Sequence, residues 1–457
     1  MIKRDESAGI LSPRRILRFW LPLEATWLMM AAEGPFLAAV IARLPGAKPN
    51  LAAYGVAISL AWIVESPIVM MLSASNALVK DKVAFLKLRR FSFTLNGLVT
   101  LVMAALIAPP VFDLVVRRGM GLGPEVAGLA GRSMLFLVLW PAAIGFRRFY
   151  QGILISHGRP QAMTWGTAIR LSTMAATGLV LALVLRLPGA GVGAGALGAG
   201  VLAEAAASWA MARPFVRALK RQKDEDCTFG IGLTGWAIRR FYAPLALTSF
   251  LSFFINPLTS FFLARGRQPL DSLAVLPVVM GLVFLFRTAG IALQEVVIAL
   301  LGDDGRNRAP LTRFTARVGI AASSILAVVL LTPLGSVWYR VVSGLPSELV
   351  AFAFWPGAFL VFLPLLETYL SYQRGLLVKA HRTRPLSGAV AAQLSVTTAV
   401  FLLFISGLKT VGALAVGPAL TAGYVAGNVV LYLLRGKRSG LRLPGPEIAE
   451  PPSTPVV

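Results

Sequence analysis

Apolar residues in this chain run in stretches far longer than a soluble helix uses, and the polar residues between them come in short clusters. The runs predict helices at 16–43, 50–79, 91–116, 124–155, 160–186 and 191–213, then at 236–265, 270–301, 312–338, 346–378, 385–407 and 410–434. A spanning helix needs about 20 mostly apolar residues, and each run supplies them. The breaks are Pro/Gly turns or charge clusters, namely Leu44-Pro45-Gly46, Arg117-Arg118-Gly119, Leu187-Pro188-Gly189 and Gly302-Asp303-Asp304-Gly305. The pattern predicts an all-α integral membrane protein of twelve transmembrane helices.

The two sets of six repeat one another. Arg18-Phe19-Trp20-Leu21-Pro22-Leu23 opens the first helix and Arg240-Phe241-Tyr242-Ala243-Pro244-Leu245 the seventh, an offset of 222 residues. That offset also pairs Thr26 with Thr248, Pro35 with Pro257, Ala42-Arg43 with Ala264-Arg265, Asp81 with Asp303, and Tyr150-Gln151 with Tyr372-Gln373. Leu/Ala-rich sequence matches itself easily, but shared Pro, Arg and Asp in one register do not arise that way. Six helices per copy give both copies the same topology, related by a pseudo-twofold axis along the membrane normal. The expected organisation is a six-helix lobe over 1–213, a linker over 214–235, a second lobe over 236–435 and a disordered tail over 436–457.

Composition and charge then narrow the class. Of 457 residues 56% are hydrophobic and 14% charged, with mean hydropathy +0.73; soluble domains carry about a quarter charged residues. The net charge of +24 would point to nucleic acid in a soluble protein. Here the basic residues sit in short loops, the pattern that orients membrane proteins. They concentrate at the N-terminus (Lys3, Arg4, Arg14, Arg15, Arg18), after helix 2 (Lys80, Lys82, Lys87, Arg89, Arg90), in the linker, and after helices 8 and 10. An even helix number puts both termini on that side, so the expected location is the inner membrane with both termini cytoplasmic. The polar start leads into the first apolar run without a small-residue cleavage site, which reads as a first spanning helix and not a removed signal. The single Cys227 excludes an internal disulfide.

No constellation for soluble enzyme chemistry is present, and the chain reads as a non-enzyme without a metal. The run Gly189 to Gly200 lacks the Gly-Lys-Ser/Thr ending of a phosphate loop; small residues at helical spacing let membrane helices approach closely. His157 and His381 follow the Tyr-Gln helices in short basic loops, where solvation explains them. Charges within the apolar runs matter more, because each is costly there and faces the protein interior or a wet cavity. They are Glu24, Glu33, Glu65, Glu204, Glu295 and Glu367, with Arg147, Arg148, Arg170 and Arg287. Glu33 precedes Gly34-Pro35, and a proline there frees a carbonyl and bends the helix. A carboxylate beside a freed carbonyl can hold H+ or Na+. Glu65 before Ser66-Pro67 invites the same reading, and Glu367 follows Pro364. Pro22, Pro35, Pro67, Pro244 and Pro257 are the expected hinges. The arginines suit carboxylate or phosphate, and could equally serve as partners of these glutamates. Glu65 and Arg287 share a repeat position, so a pair across the axis is one option. Structural ion pairing competes with a coupling role for every one of these glutamates.

Two six-helix halves, bent first and seventh helices and cytoplasmic termini together resemble the multidrug/oligosaccharidyl-lipid/polysaccharide (MOP) exporter superfamily. That superfamily includes the multidrug and toxic compound extrusion (MATE) transporters and the lipid II and polysaccharide flippases. Arg18-Phe19-Trp20-Leu21-Pro22-Leu23, Ala53-Tyr54-Gly55-Val56-Ala57-Ile58-Ser59-Leu60, Gly152-Ile153-Leu154 and Tyr242-Ala243-Pro244-Leu245-Ala246-Leu247 look most like the progressive ankylosis (ANK) family. The resemblance implies a V-shaped two-lobe transporter, monomeric, with substrate between the lobes and alternating access by rocking. MATE transporters couple cations through first-lobe carboxylates, one in helix 1. Glu33 is the nearest counterpart, with Glu where Asp is usual, which leaves H+ or Na+ open. The ANK family is linked to export of organic anions and phosphate-containing metabolites. The expected function is therefore an ion-coupled exporter of a small organic anion or phosphate-containing metabolite, needing no cofactor beyond the coupling ion. The alternatives are a flippase for a diphospho-lipid precursor, and multidrug or organic-cation extrusion.

Overall fold

The computed structural model describes residues 11–436 except 158, 160, 224–226, 303–304 and 381–383, without the side chains at 26, 228, 229, 244, 384, 435 and 436. Ten helices are long and apolar enough to cross a membrane, and there are twelve when each of two bent pairs is one span. They are α1 (Pro13–Ala42), α2 (Ala47–Leu78), α3 (Lys82–Ile107), α4 (Pro124–Leu135 with Trp140–Ser156), α5 (Gln161–Val184) and α6 (Gly189–Arg221). The second set is α7 (Gly235–Arg265), α8 (Pro269–Leu300), α9 (Arg308–Leu331), α10 (Ser347–Ala358 with Leu363–Lys379), α11 (Pro385–Gly407) and α12 (Gly412–Leu434). On α3, α5 and α9 the outward leucines and isoleucines, such as Leu101, Leu183 and Ile320, stand exposed. A soluble protein would not leave that much apolar surface to water. The chain is a multi-pass membrane protein.

The third and ninth spans begin and end several residues before the bounds that hydropathy predicts. The expected third helix, 91–116, runs over Lys82–Ile107, because the Asp81 carboxylate caps it by accepting from the Ala84 N–H at 2.8 Å. Lys87, Arg89 and Arg90 thus ride on the helix itself, with Arg89 over the rings of Phe85 and Phe93. Pro109-Pro110 stops α3, and the apolar residues beyond form a separate π-helical turn, Asp113–Gly119. The ninth helix ends early at Leu331 for the same reason, before Thr332-Pro333. The sixth continues past 213 to Arg221. Beyond it the short connection docks on α3: Gly230 N–H donates to Asp81 at 2.6 Å, and Lys87 Nζ donates to the Gly230 carbonyl at 2.9 Å. Asp303 and His381 lie outside the described residues.

The repeat extends to backbone conformation. Gly46 and Gln268, 222 residues apart, both take left-handed φ (67° and 51°) just before α2 and α8. Gly121 and Gly344 do so before α4 and α10, and Arg186 and Lys409 before α6 and α12, each pair 223 apart. The Asn50 side chain accepts from the Ala190 N–H at 2.9 Å, and Ser272 accepts from the Ala413 N–H at 3.0 Å. The register therefore slips by one residue between α2 and α4. This corrects the Tyr-Gln match. A Cβ at Gly152 would strike the Leu72 carbonyl, and one at Gly375 would strike the Gln294 carbonyl, so these glycines are the true counterparts. Phe149 pairs with Tyr372, and the shared Tyr-Gln is one residue out of register.

Contacts between the halves are themselves repeated. The Trp20 indole donates to the Ala289 carbonyl at 3.1 Å, and the Tyr242 hydroxyl to the Pro67 carbonyl at 2.6 Å. The first helix of each half thus leans on the second helix of the other. At the opposite end Arg43 donates to the carbonyls of Val341 (2.5 Å) and Val342 (2.9 Å), and Arg265 to Gly119 (2.6 Å). Lys48 pairs with Asp271 beside them. Between these layers Gly55 of α2 lies on Leu273 and Pro277 of α8, and the hydroxyls of Ser59 and Ser260 meet at 3.2 Å.

Candidate functional site

Helix breaks prepare the interior. Span α1 is two segments meeting at Ala32, and α7 is two segments meeting at Phe254, 222 residues on. Each joint lies three residues before a proline, Pro35 or Pro257, where the missing N–H interrupts the helical ladder. Asn256 caps the break in α7, its amide donating to the Phe253 carbonyl at 3.2 Å. In α1 the same position is Gly34, exposed and facing open space. Span α2 tightens to a 3-10 turn at Ser66–Ile68 around Pro67. The first segment of α1 runs unbroken through Pro22, and the α7 segment Gly235–Phe253 runs through position 244. Spans α4 and α10, each predicted as one helix, bend by 41° and 42°, each restarting with a proline in its first turn, Pro141 or Pro364.

Around these breaks the N-terminal half gathers a buried charge cluster. Glu204 of α6 is its hub: Arg147 of α4 is bonded to Oε2, Arg170 of α5 reaches the same oxygen at 3.3 Å, and the Gln151 amide donates to Oε1 at 3.1 Å. Arg170 turns its other arm to Glu33 of α1. Glu33, Glu204, Arg147 and Arg170 are all buried. Glu65 of α2 lies in the field of Arg147, Arg148 and Arg170, is buried, and its Oε2 has no hydrogen-bond partner. The half-buried Arg148 likewise has an unpartnered Nε. With all groups ionised, three acids face three bases. Four of the six are tied to one another, while Glu65 and Arg148 have no such bond among the described residues.

The C-terminal half holds a smaller cluster. Arg287 of α8 donates to Glu367 of α10 at 2.5 and 3.2 Å and is bonded to the Tyr424 hydroxyl of α12, which itself donates to Glu367 at 2.9 Å. Gln373 and Asn428 join α10 to α12 beside it at 2.9 Å. The Glu65–Arg287 pair considered from sequence is therefore not formed, because Arg287 turns to the carboxylate of its own half. Glu24 is buried and accepts from Thr288 at 2.7 Å across the halves. Glu295 is exposed, and His157 caps α4 through the Ile153 carbonyl at 2.8 Å.

From sequence, Glu33, Arg147 and Arg170 stand as site candidates, and Glu204 is one buried charge among several with no site role. The glycines of α6 explain its central place. Gly198 sits against the Phe136 carbonyl and Gly200 against the Arg170 carbonyl, where a Cβ would approach to 2.7 and 2.9 Å. This contact draws α6 onto α4 and α5 and delivers Glu204 to the arginines. Tyr424 carried no sequence signal, since a tyrosine in an apolar run looks like any aromatic core residue.

Comparison with known proteins places this arrangement. No family model matches the sequence, and no curated protein matches it either. Solved structures do match. An inward-facing multidrug resistance MATE family transporter of the MOP superfamily superposes with a TM-score of 0.65 at 14% identity, over 92% of this chain and 99% of that one. The lipid II flippase MurJ in an inward closed conformation gives 0.64 at 14% identity, over 91% and 87%. A MOP superfamily transporter from Pyrococcus furiosus, described as having a binding pocket of reversed polarity that suggests a different function, gives 0.59 at 14% identity, over 93% and 95%. Twelve spans, paired helix breaks and a repeated set of contacts between the halves are thus those of a known architecture, and the chain has the fold shared by MATE transporters and the lipid II flippase.

Proposed function

We propose that the protein is a secondary active transporter that exports a small organic anion or phosphate-containing metabolite, driven by H+ or Na+. It works by rocking of two lobes, 1–213 and 236–435, in the inner membrane with both termini cytoplasmic. The observation that carries this reading is the buried cluster on α1, α2, α4, α5 and α6, where Glu65 and Arg148 stay outside the ion pairs that bind their neighbours. A carboxylate locked to a guanidinium holds its charge and is a poor proton carrier. The free carboxylate can exchange a cation, and the free guanidinium offers a forked donor set to an anion. Cation binding at Glu65 withdraws negative charge from beside Arg148, which tightens the site for an anion in one state of the cycle.

The test is gradient-driven flux of labelled organic anions and phosphate monoesters in proteoliposomes. Wild-type protein shows flux that follows the imposed H+ or Na+ gradient. Glu65→Gln retains downhill flux but loses that dependence. Arg148→Gln loses transport in both modes. Gradient-dependent flux unchanged in Glu65→Gln would remove it from the coupling role.

A second reading is a flippase for a diphospho-lipid. The same arginines support it, as does the fold shared with the lipid II flippase. Multidrug or organic-cation extrusion is the third arm, and the MATE neighbours are named as multidrug resistance transporters. Presenting a lipid-linked diphosphate or an organic cation in the same vesicles separates the three.

A further inference from the structure

The two halves differ at the outer ends of their third and fourth spans, at the end of the bundle opposite the chain termini. In the N-terminal half a phenyl ring and an ion pair close this corner. Phe112 packs its ring against Gly131, and four residues apart Asp113 and Arg117 form a salt bridge at 3.1 Å. The C-terminal counterpart of Arg117 is Arg340, in the same register as Gly121 and Gly344. Counting back from it, Phe112 is replaced by Gly335 and Asp113 by Ser336. The carboxylate is gone, and the ring now comes from the other side of the contact, where Phe354 stands at the place of Gly131. A cavity of about 480 Å³ opens there, lined by Thr332, Ser336, Tyr339, Arg340, Val350 and Phe354 among others. That volume falls within the range of small-molecule sites.

Arg340 is exposed and belongs to none of the ion pairs formed among the described residues, Glu348 of the neighbouring turn included. Beside the cavity Leu331, Leu334, Val337 and Val341 are 52%, 52%, 48% and 65% exposed. This is an apolar surface at the end of a span, with Trp338 and Trp355 nearby, where the aromatic belt of a membrane protein lies. A cationic head over a hydroxyl-lined cavity beside a lipid-facing apolar wall matches one occupant in charge and shape. We infer that this cavity is a binding site for an anionic phospholipid of the outer leaflet, its phosphate on Arg340 and its acyl chains along Leu334, Val337 and Val341. The site is separate from the buried clusters and independent of the transport reading.

The experiment uses full-length protein in nanodiscs of phosphatidylcholine doped with phosphatidylglycerol, with retained lipid counted by native mass spectrometry. One arginine near a membrane surface contributes about 1 kcal/mol toward anionic lipid, roughly a fivefold enrichment. Wild-type protein keeps phosphatidylglycerol over phosphatidylcholine, and Arg340 adds that factor to what the other basic loops retain. Ser336→Asp, which restores the carboxylate that Arg117 already has, lowers the retained phosphatidylglycerol by about one molecule, as does Arg340→Gln. Arg117→Gln, the matched change in the other half, leaves it intact. The proposal is overturned if Ser336→Asp and Arg340→Gln retain phosphatidylglycerol like wild type, or if Arg117→Gln loses it equally. Displacement of the lipid by millimolar inorganic phosphate would also overturn it, by showing a site for soluble anion.

Discussion

A guanidinium inside a membrane protein keeps its place only while carboxylates answer it. Glu204 answers two, Arg147 and Arg170, and Gln151 fixes its remaining oxygen. Glu204→Gln therefore strands charge in the interior, at a cost of about 3–5 kcal/mol when one member of a buried pair is removed. Thermal unfolding in detergent should show a large loss for Glu204→Gln and a smaller loss for Arg147→Gln/Glu204→Gln, where charge stays balanced. A double loss equal to the sum of the Glu204→Gln and Arg147→Gln losses would mean that the pair carries no coupling. Sequence alone disclosed most of the buried charges, because an ionisable residue in an apolar run stands out, but Glu295 stood out in the same way and is exposed. It did not disclose who meets whom. Glu65 and Arg287 occupy the same repeat position, yet Arg287 joins Glu367 because partner choice depends on how each helix is turned and bent. A single apolar run carries no record of that.

At the scale of the helix, span number followed from hydropathy, and the breaks in α1, α2 and α7 from Pro35, Pro67 and Pro257. The bends in α4 and α10 were not legible. Their prolines sit in the first turn of a restarted helix, where proline is at home and looks harmless in sequence. The glycine-rich start of α6 was read as a packing surface, and its contacts with the Phe136 and Arg170 carbonyls are such a surface. Gly198→Val drives a side chain into the Phe136 carbonyl and should abolish most folded material on size-exclusion chromatography. Gly97→Ala in α3, where nothing lies within 4 Å, should be neutral or raise stability by about 0.5–1 kcal/mol. Comparable damage from both would show that α6 does not depend on this approach.

For the molecule as a whole, the matched arginines at the end opposite the termini have the form of a latch. Arg43 and Arg265 each tie the end of one half's first helix to the loop before the other half's fourth span. Their bonds are to carbonyls, so they can be released without stranding a carboxylate. Replacing both with Gln should shift the population toward states open at that end. With Cys227 replaced by serine, spin labels at the exposed positions Gly123 and Ser347 report this in double electron–electron resonance as a gain in the longer distance. An unchanged distance distribution would assign Arg43 and Arg265 to static packing.

The one-residue slip in register has a historical meaning. From Arg18 to Arg186 in one half, and from Arg240 to Lys409 in the other, the chain has changed net length by one residue. An insertion inside a helix turns everything beyond it by about 100°, carrying buried charges out to lipid. The slip falls between the end of α2 and the middle of α3, since Asn96 against Gly145 and Gly319 against Thr368 already stand 223 apart, so the charged connection ahead of the third span took up the extra residue. Substitution has been free enough to exchange glutamate for arginine at equivalent sites, whereas length has been held nearly constant. Descent from a common ancestral half has thus preserved helical phase more strictly than chemistry.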